Sequence, residues 1–128
     1  MRALGLGVFG WLVPGGAFLS ARRYASFALF AVAVWASFGA GLALHGGLVW
    51  PAAGDLAGLD GGTALIFRAA AAVKMLAGAP YLVAQMSGES GSFLDGRLHE
   101  QGTTLLAMAG VINVYAIASA LGARKEHR

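Results

Sequence analysis

The feature that most constrains this chain is the length of its apolar runs. Residues 24–50 and 102–123 contain no Asp, Glu, Lys or Arg, and about 20 residues of helix cross the hydrocarbon core of a bilayer. Of the 128 residues, 12% are charged, against roughly 25% in an ordinary soluble domain. So few charged side chains cannot cover a water-exposed surface. The sequence therefore predicts an all-α membrane protein, with residues 1–128 forming a single integral membrane domain.

Two more apolar segments, residues 3–21 and 63–86, bring the predicted helical segments to four. The first is broken at Pro14-Gly15-Gly16, because proline lacks a backbone donor and clashes with the preceding turn. The pair Arg22-Arg23 follows at once, and we expect it to hold a turn at the membrane interface. The pattern predicts a short or kinked first helix, a basic turn and a long second helix that returns. Trp11 and Trp50 are expected to be interfacial anchors.

The third segment differs because it contains Arg68, Lys74 and Pro80. In a straight crossing, Lys74 would lie near the bilayer centre at a cost of about 2.5–3.5 kcal/mol. Whether residues 63–86 cross therefore stays open, and so does the orientation. With four crossings, four basic residues would lie on one side of the membrane and three on the other, and this difference does not determine the orientation. If the third segment does not cross, Arg22-Arg23 and the basic C-terminal tail share one side, and the positive-inside rule makes that side cytoplasmic.

Several motifs carry a family resemblance. The stretch "PGGAFLSARR", residues 14–23, resembles the hairpin of the two-transmembrane-domain superfamily. It is more similar to a family of short, uncharacterised bacterial integral membrane proteins, a domain of unknown function. That pattern has a His after its second Gly and a Gly before the Arg pair, where this chain lacks the His and has Ala21. "GAPYLVA" (residues 78–84) and residues 100–125 are also similar. The resemblance implies a multi-pass protein of the bacterial inner membrane and brings no activity with it.

Three polar residues inside the apolar segments are candidate functional positions: Lys74, Asn113 and Arg68. As a functional group, Lys74 would bind an anion or a lipid headgroup, and Asn113 would contact a ligand or pair with Lys74. The structural alternatives are a lysine that reaches the interface and an asparagine that hydrogen-bonds between helices. All six acidic residues lie outside the apolar segments, so Lys74 has no carboxylate partner at membrane depth, which argues against ion-coupled transport.

The remaining patterns predict a non-catalytic protein. The chain has no Cys, no Ser-His-Asp set and no metal-ligand spacing, so we expect no enzyme activity and no cofactor. Basic residues are not interleaved with aromatics, which argues against nucleic acid. Small residues four apart, such as Ser37/Gly41 and Ala118/Gly122, favour close helix packing. We expect a structural or accessory subunit that packs through such faces against a larger membrane complex or itself. The alternative is a small-molecule or lipid-binding protein, or a minimal transporter, that uses Lys74 and Asn113.

Overall fold

A computed structural model describes residues 2–44, 46–48, 50–54, 56–88 and 97–126, and most of these residues are helical. No strand occurs in these ranges, which confirms the all-helical prediction for them. In chain order the elements are α1 (Arg2–Leu12), a 3₁₀ helix (Gly16–Ala21), α2 (Tyr24–Ala43), α3 (Gly61–Met75), α4 (Ala79–Met86) and α5 (Arg97–Glu126).

The predicted first segment, residues 3–21, is divided between two short elements. Helix α1 has 11 residues, or about 16 Å, and is too short to span a bilayer. It ends just before Pro14, and Gly15 takes the left-handed conformation with φ 74°. A Cβ on Gly15 would lie 3.0 Å from the carbonyl oxygen of Phe27, so the glycine also lets the turn approach α2. The break predicted at Pro14-Gly15-Gly16 is therefore a turn into a 3₁₀ helix.

The predicted second segment, residues 24–50, was too long. Helix α2 ends at Ala43, and residues 46–48 are buried but not helical. The physical reason lies in α5, because a Cβ on Gly46 would be 2.5 Å from the carbonyl carbon of Gly102. After the end of α2, the non-helical stretch therefore packs backbone against backbone on the early part of α5.

The predicted third segment, residues 63–86, forms two helices rather than one. Helices α3 and α4 are bent by 99° relative to each other. Asp60 begins α3 by accepting a hydrogen bond from the Thr63 backbone N–H at 3.0 Å, an N-cap. The chain turns at Gly78, whose φ is 76°, and Pro80 lies in the first turn of α4, where a missing backbone donor costs little.

Helices α2 and α5 form an antiparallel pair that organises the molecule. Near the end of α2, a Cβ on Gly41 would be 2.9 Å from the carbonyl oxygen of Gly102 in the early part of α5. Near the start of α2, the ring of Phe30 lies 6.0 Å from that of Tyr115 in the later part of α5. We call the end where α2 begins the Arg22 end and the opposite end the Gly46 end.

Two buried apolar clusters flank this helix pair. The cluster nearer the Gly46 end joins α2, α4 and α5, and its buried members are Val34, Phe38, Leu48, Ala77, Tyr81, Ala84, Leu106 and Ala109. The cluster nearer the Arg22 end joins the 3₁₀ helix to α5 and consists of Ala17, Phe18, Ala116 and Ala120.

Among the described residues, two helices are long and apolar enough to cross a membrane, Tyr24–Ala43 and the Glu100–Ala123 part of α5. Helices α3 and α4 add a third crossing only if the bent pair counts as one span. Because α2 ends and α5 begins at the Gly46 end, the segment that joins them leaves this end and returns to it.

Candidate functional site

Lys74 lies in the last turn of α3 and is 6% exposed. Its Nζ donates a hydrogen bond to the Gly47 carbonyl oxygen at 2.6 Å. The side chain therefore stays inside the protein, and it spans from α3 to the non-helical stretch that follows α2. Within the described part of the chain, this carbonyl is the one acceptor that Lys74 contacts.

The stretch that receives Lys74 is itself held against α5. The backbone N–H of Gly47 donates to Thr103 Oγ1 at 3.1 Å, and the backbones of Gly46 and Gly102 touch next to it. Gly46 and Gly102 have no side chain, which lets this stretch lie directly on α5. Lys74 then binds the carbonyl oxygen of Gly47, and Thr103 binds its N–H group. These contacts build a Lys74–Gly47–Thr103 link between α3, the end of α2 and the start of α5.

Asn113 lies on α5 opposite the break between α3 and α4 and is fully buried, with 0% exposed. Its Nδ2 donates to the carbonyl oxygens of Leu76 at 2.9 Å and Trp11 at 3.2 Å. The last carbonyls of a helix have no partner within it, and in lipid such groups must be satisfied inside the protein. Asn113 therefore caps the C-terminal ends of α3 and α1 together.

Trp11 and Gly78 complete this junction. The Trp11 indole Nε1 donates to the carbonyl oxygen of Met75 at 3.1 Å, so this side chain, predicted as an interfacial anchor, tethers α1 to α3. A Cβ on Gly78 would lie 1.7 Å from the Trp11 carbonyl oxygen. On the other side, a Cβ on Gly110 would lie 1.9 Å from the carbonyl oxygen of Val73. We call this set of contacts the three-helix junction.

The sequence interpretation missed the glycines of this junction. Gly78 and Gly110 are two among 20 glycines, and a glycine needed for close approach looks like any other in the sequence. One usable signal was the spacing of Gly110 and Asn113, which puts a small residue and a polar residue on the same face of α5.

Asn113 also leaves one atom without a partner. Its Oδ1 is buried and accepts no hydrogen bond from any described residue. Both amide hydrogens are used, so the unmet capacity of this side chain is that of an acceptor.

Lys74 and Asn113 make their hydrogen bonds in different parts of the fold. Lys74 reaches the backbone next to the Gly46 end, and Asn113 caps helix ends at the three-helix junction. No hydrogen bond joins the two side chains within the described residues. Arg68 is exposed on α3, and Arg22 and Arg23 are exposed at the turn before α2. The predicted polar positions are thus not gathered into one cluster.

A groove of 380 Å³ lies between α2 and α4. Its wall is mainly apolar, and neither Lys74 nor Asn113 contributes to it; the lining residues are Trp35, Phe38, Gly39, Leu42, Ala43, Pro80, Val83, Ala84 and Ser87.

The start of α3 carries an electrostatic feature outside the long apolar helices. The Thr63 hydroxyl donates to Asp60 Oδ1 and the Thr63 backbone N–H donates to Oδ2. These two hydrogen bonds, the hydroxyl contributing more, hold the pKa of Asp60 below its ordinary value of 3.8, because they stabilise the ionised carboxylate. The carboxylate thus remains a cap for α3 down to acidic pH.

Comparison with known proteins identifies a family. A model described as a family of unknown function (DUF6677) matches residues 6–127, which is nearly the whole chain. No curated protein and no solved structure matches. The expectation from the sequence motifs, a family without a known function, agrees with this result. The chain belongs to the family of unknown function DUF6677.

Proposed function

We propose that this protein is a small multi-pass protein of the bacterial inner membrane with a non-catalytic, structural or accessory role. The membrane setting is supported by the two helices that are long and apolar enough to cross. It is also supported by the large apolar side chains that α2 exposes, among them Leu29, Val32 and Trp35. An apolar helix surface of this kind suits lipid or another membrane helix.

One observation carries the accessory role: the buried polar side chains donate to the protein's own backbone. Lys74 holds the stretch after α2, and Asn113 caps two helix ends. A transport or binding site needs polar groups free to meet a ligand, whereas these donors are used to hold a broken helix inside the fold. Their role is therefore to make the fold possible.

The outward faces supply the surface for a partner. Gly41 does not face outwards, because it packs on α5 inside the protein. Gly39 on α2 and Gly122 on α5, by contrast, have no atom within 4 Å of an added Cβ. Ala118 is also exposed and lies one turn before Gly122. Small residues four apart on an outward face let another membrane helix approach closely, so the Ala118–Gly122 face of α5 is the proposed contact.

For the topology, we propose two crossings and one re-entrant segment. Side chains on a helix lean towards its N-terminus, and Lys74 reaches Gly47 at the Gly46 end. Helix α3 therefore enters from that end, meets the three-helix junction at mid-depth, and α4 returns. Leu48 and Ala84 share a buried cluster, which supports the return.

This topology also supports an orientation. Five acidic residues lie between the end of α2 and the first turn of α5: Asp55, Asp60, Glu89, Asp95 and Glu100. The sequence before α2 and the last five residues together contain one acidic residue, Glu126, and six basic residues: Arg2, Arg22, Arg23, Arg124, Lys125 and Arg128. The stretch from the end of α2 to the first turn of α5 contains three basic residues: Arg68, Lys74 and Arg97. By the positive-inside rule the Arg22 end faces the cytoplasm.

A binding or transport protein is the second candidate, and one observation favours it. The unpartnered Oδ1 of Asn113 is a buried acceptor that a ligand with a donor group would satisfy. In this case Lys74 and Asn113 would have to become accessible to water at some stage of a cycle.

The size of the extracted protein tests the accessory role. After gentle extraction at native expression level, we expect it to migrate as a complex much larger than one 13.0 kDa chain in a micelle. Gly122→Leu, on the open face of α5, should release the chain without lowering its thermal stability. A monodisperse monomer under all gentle conditions would contradict the proposal.

Cysteine labelling tests the topology and the alternative, since the chain has no Cys. With a membrane-impermeant thiol reagent, we expect Ser20→Cys to react only after cells are opened and Ala53→Cys to react in intact cells. Lys74→Cys should react in neither case. Labelling of Lys74→Cys through water from one side would support the binding or transport function instead.

A further inference from the structure

The turn between the 3₁₀ helix and α2 presents two free cationic side chains. Arg22 and Arg23 are exposed, and neither guanidinium is bonded to an acidic side chain among the described residues. Arg22 also has a left-handed backbone with φ 55°, where glycine is the unstrained residue. The arginine therefore occupies a position that does not favour it on backbone grounds.

The later part of α5 lies beside the 3₁₀ helix that leads into this turn. Ala17 and Phe18 of the 3₁₀ helix pack against Ala116 and Ala120 of α5. Residues 124 and 125 continue α5 by about one turn beyond Ala120, and they are Arg and Lys. The Arg22 end thus concentrates basic residues, while five of the six acidic residues lie between α2 and the first turn of α5.

The apolar belt begins directly beside this surface. Tyr24, Leu29 and Val32 follow Arg23 along α2, and each is more than half exposed. If α2 crosses the bilayer, as proposed above, the two guanidinium groups lie at the level of the lipid headgroups. A soluble partner would not explain why the cations sit at the edge of an apolar belt.

We propose that the Arg22 end is a docking surface for anionic phospholipid headgroups, with Arg22 and Arg23 as the principal contacts. A guanidinium group matches phosphate through two parallel hydrogen bonds. Basic residues next to a membrane helix attract the anionic cytoplasmic leaflet. The inference rests on the proposed membrane topology and deepens it, because it names the lipid class that the cytoplasmic side selects.

The experiment uses the full chain in lipid nanodiscs of phosphatidylcholine with a minor fraction of phosphatidylglycerol. Native mass spectrometry then measures the ratio of the two lipids that remain bound after gentle release. We expect the wild type to retain phosphatidylglycerol in excess of its share. Arg22→Gln/Arg23→Gln should lower this preference by roughly 25-fold, from about fivefold for each basic group near the surface.

Two variants separate lipid binding from general effects. Arg68→Gln/Arg97→Gln removes the same net charge from elsewhere in the chain and should keep the lipid preference. Arg22→Gly relaxes the left-handed backbone, so it should fold at least as stably in phosphatidylcholine while losing part of the preference. Equal loss of preference in both double variants would overturn the proposal.

Three other outcomes would also contradict the lipid proposal or the topology on which it rests. If inorganic phosphate competes fully with phosphatidylglycerol in the wild type, the surface is a soluble-anion site and the lipid proposal is wrong. If the chain incorporates into nanodiscs but Arg22→Gln/Arg23→Gln retains the wild-type preference, this inference fails alone. If the chain is washed from native membranes by alkaline carbonate, the proposed membrane topology fails first.

Discussion

Replacing Gly78 with alanine should break the three-helix junction, and the structure gives the size of the effect. The new Cβ would lie 1.7 Å from the Trp11 carbonyl oxygen, whereas real Cβ contacts are essentially never under 3.0 Å. The ends of α1 and α4 must therefore move apart by 1.3 Å (3.0 less 1.7) or more. That movement also stretches the 3.2 Å hydrogen bond from Asn113 to Trp11.

Three contributions together give the expected decrease in the free energy of unfolding. Alanine at φ 76° and ψ −126°, a backbone region that favours glycine, costs about 1–3 kcal/mol, overpacking costs about 1–3 kcal/mol, and the lost interhelical hydrogen bond costs about 0.6 kcal/mol. We expect Gly78→Ala to lower the free energy of unfolding by about 3–7 kcal/mol. The assay is reversible unfolding in mixed micelles of a mild detergent and dodecyl sulfate, followed by tryptophan fluorescence.

Other glycines of the chain separate the causes. Gly58 has φ 92° but open space around it, so Gly58→Ala should show only the backbone cost of about 1–2 kcal/mol. Gly110→Ala should show mainly the clash with Val73, and Gly39→Ala, with neither feature, should be neutral or slightly stabilising. The reasoning is refuted if Gly78→Ala unfolds no more easily than Gly58→Ala.

Three further changes test the polar contacts. Lys74→Met should lower the free energy of unfolding by about 1.5–3 kcal/mol because the Gly47 carbonyl loses a charged donor; unchanged unfolding in the same micelles would contradict the buried contact. Asn113→Leu should loosen the junction by about 1–2 kcal/mol through two lost interhelical hydrogen bonds, and amide exchange that stays unchanged around residues 76–78 would contradict it. The folded-state pKa of Asp60 is depressed, so its stabilisation is complete above the unfolded-state pKa and is lost as pH falls through the folded-state pKa. A thermal-melting series below about pH 4 should show this loss in the wild type and not in Asp60→Asn, and identical profiles would contradict it.

The long helices could be predicted because an uncharged apolar run of about 20 residues is typical of a helix that can cross a bilayer. Helix α5 contains the whole predicted segment 102–123, since an uncharged apolar run of that size has one stable form in lipid. The turn at Pro14-Gly15-Gly16 could also be predicted, because proline chemistry is local. Both predictions depend on residues that are neighbours in the sequence.

The early end of α2 and the acceptor of Lys74 could not be predicted. Helix α2 stops at Ala43, and Gly46 then packs against Gly102, which is 56 positions later. Lys74 finds a backbone carbonyl at Gly47, and a carbonyl has no side-chain signature. Asn113 was identified as a polar position, but its acceptor at Leu76 is free only because α3 ends there.

The three-helix junction has a consequence for synthesis of the chain. The Trp11 carbonyl is capped by a residue 102 positions later, so α1 leaves the ribosome long before its partner exists. The same is true of the break after α3, which Asn113 caps 37 positions later. Until Asn113 has been made and has folded onto them, these carbonyls need water or another temporary partner. The final packing of α1 and α3 therefore follows the synthesis of Asn113, and a chain truncated before Asn113 should lack this packing.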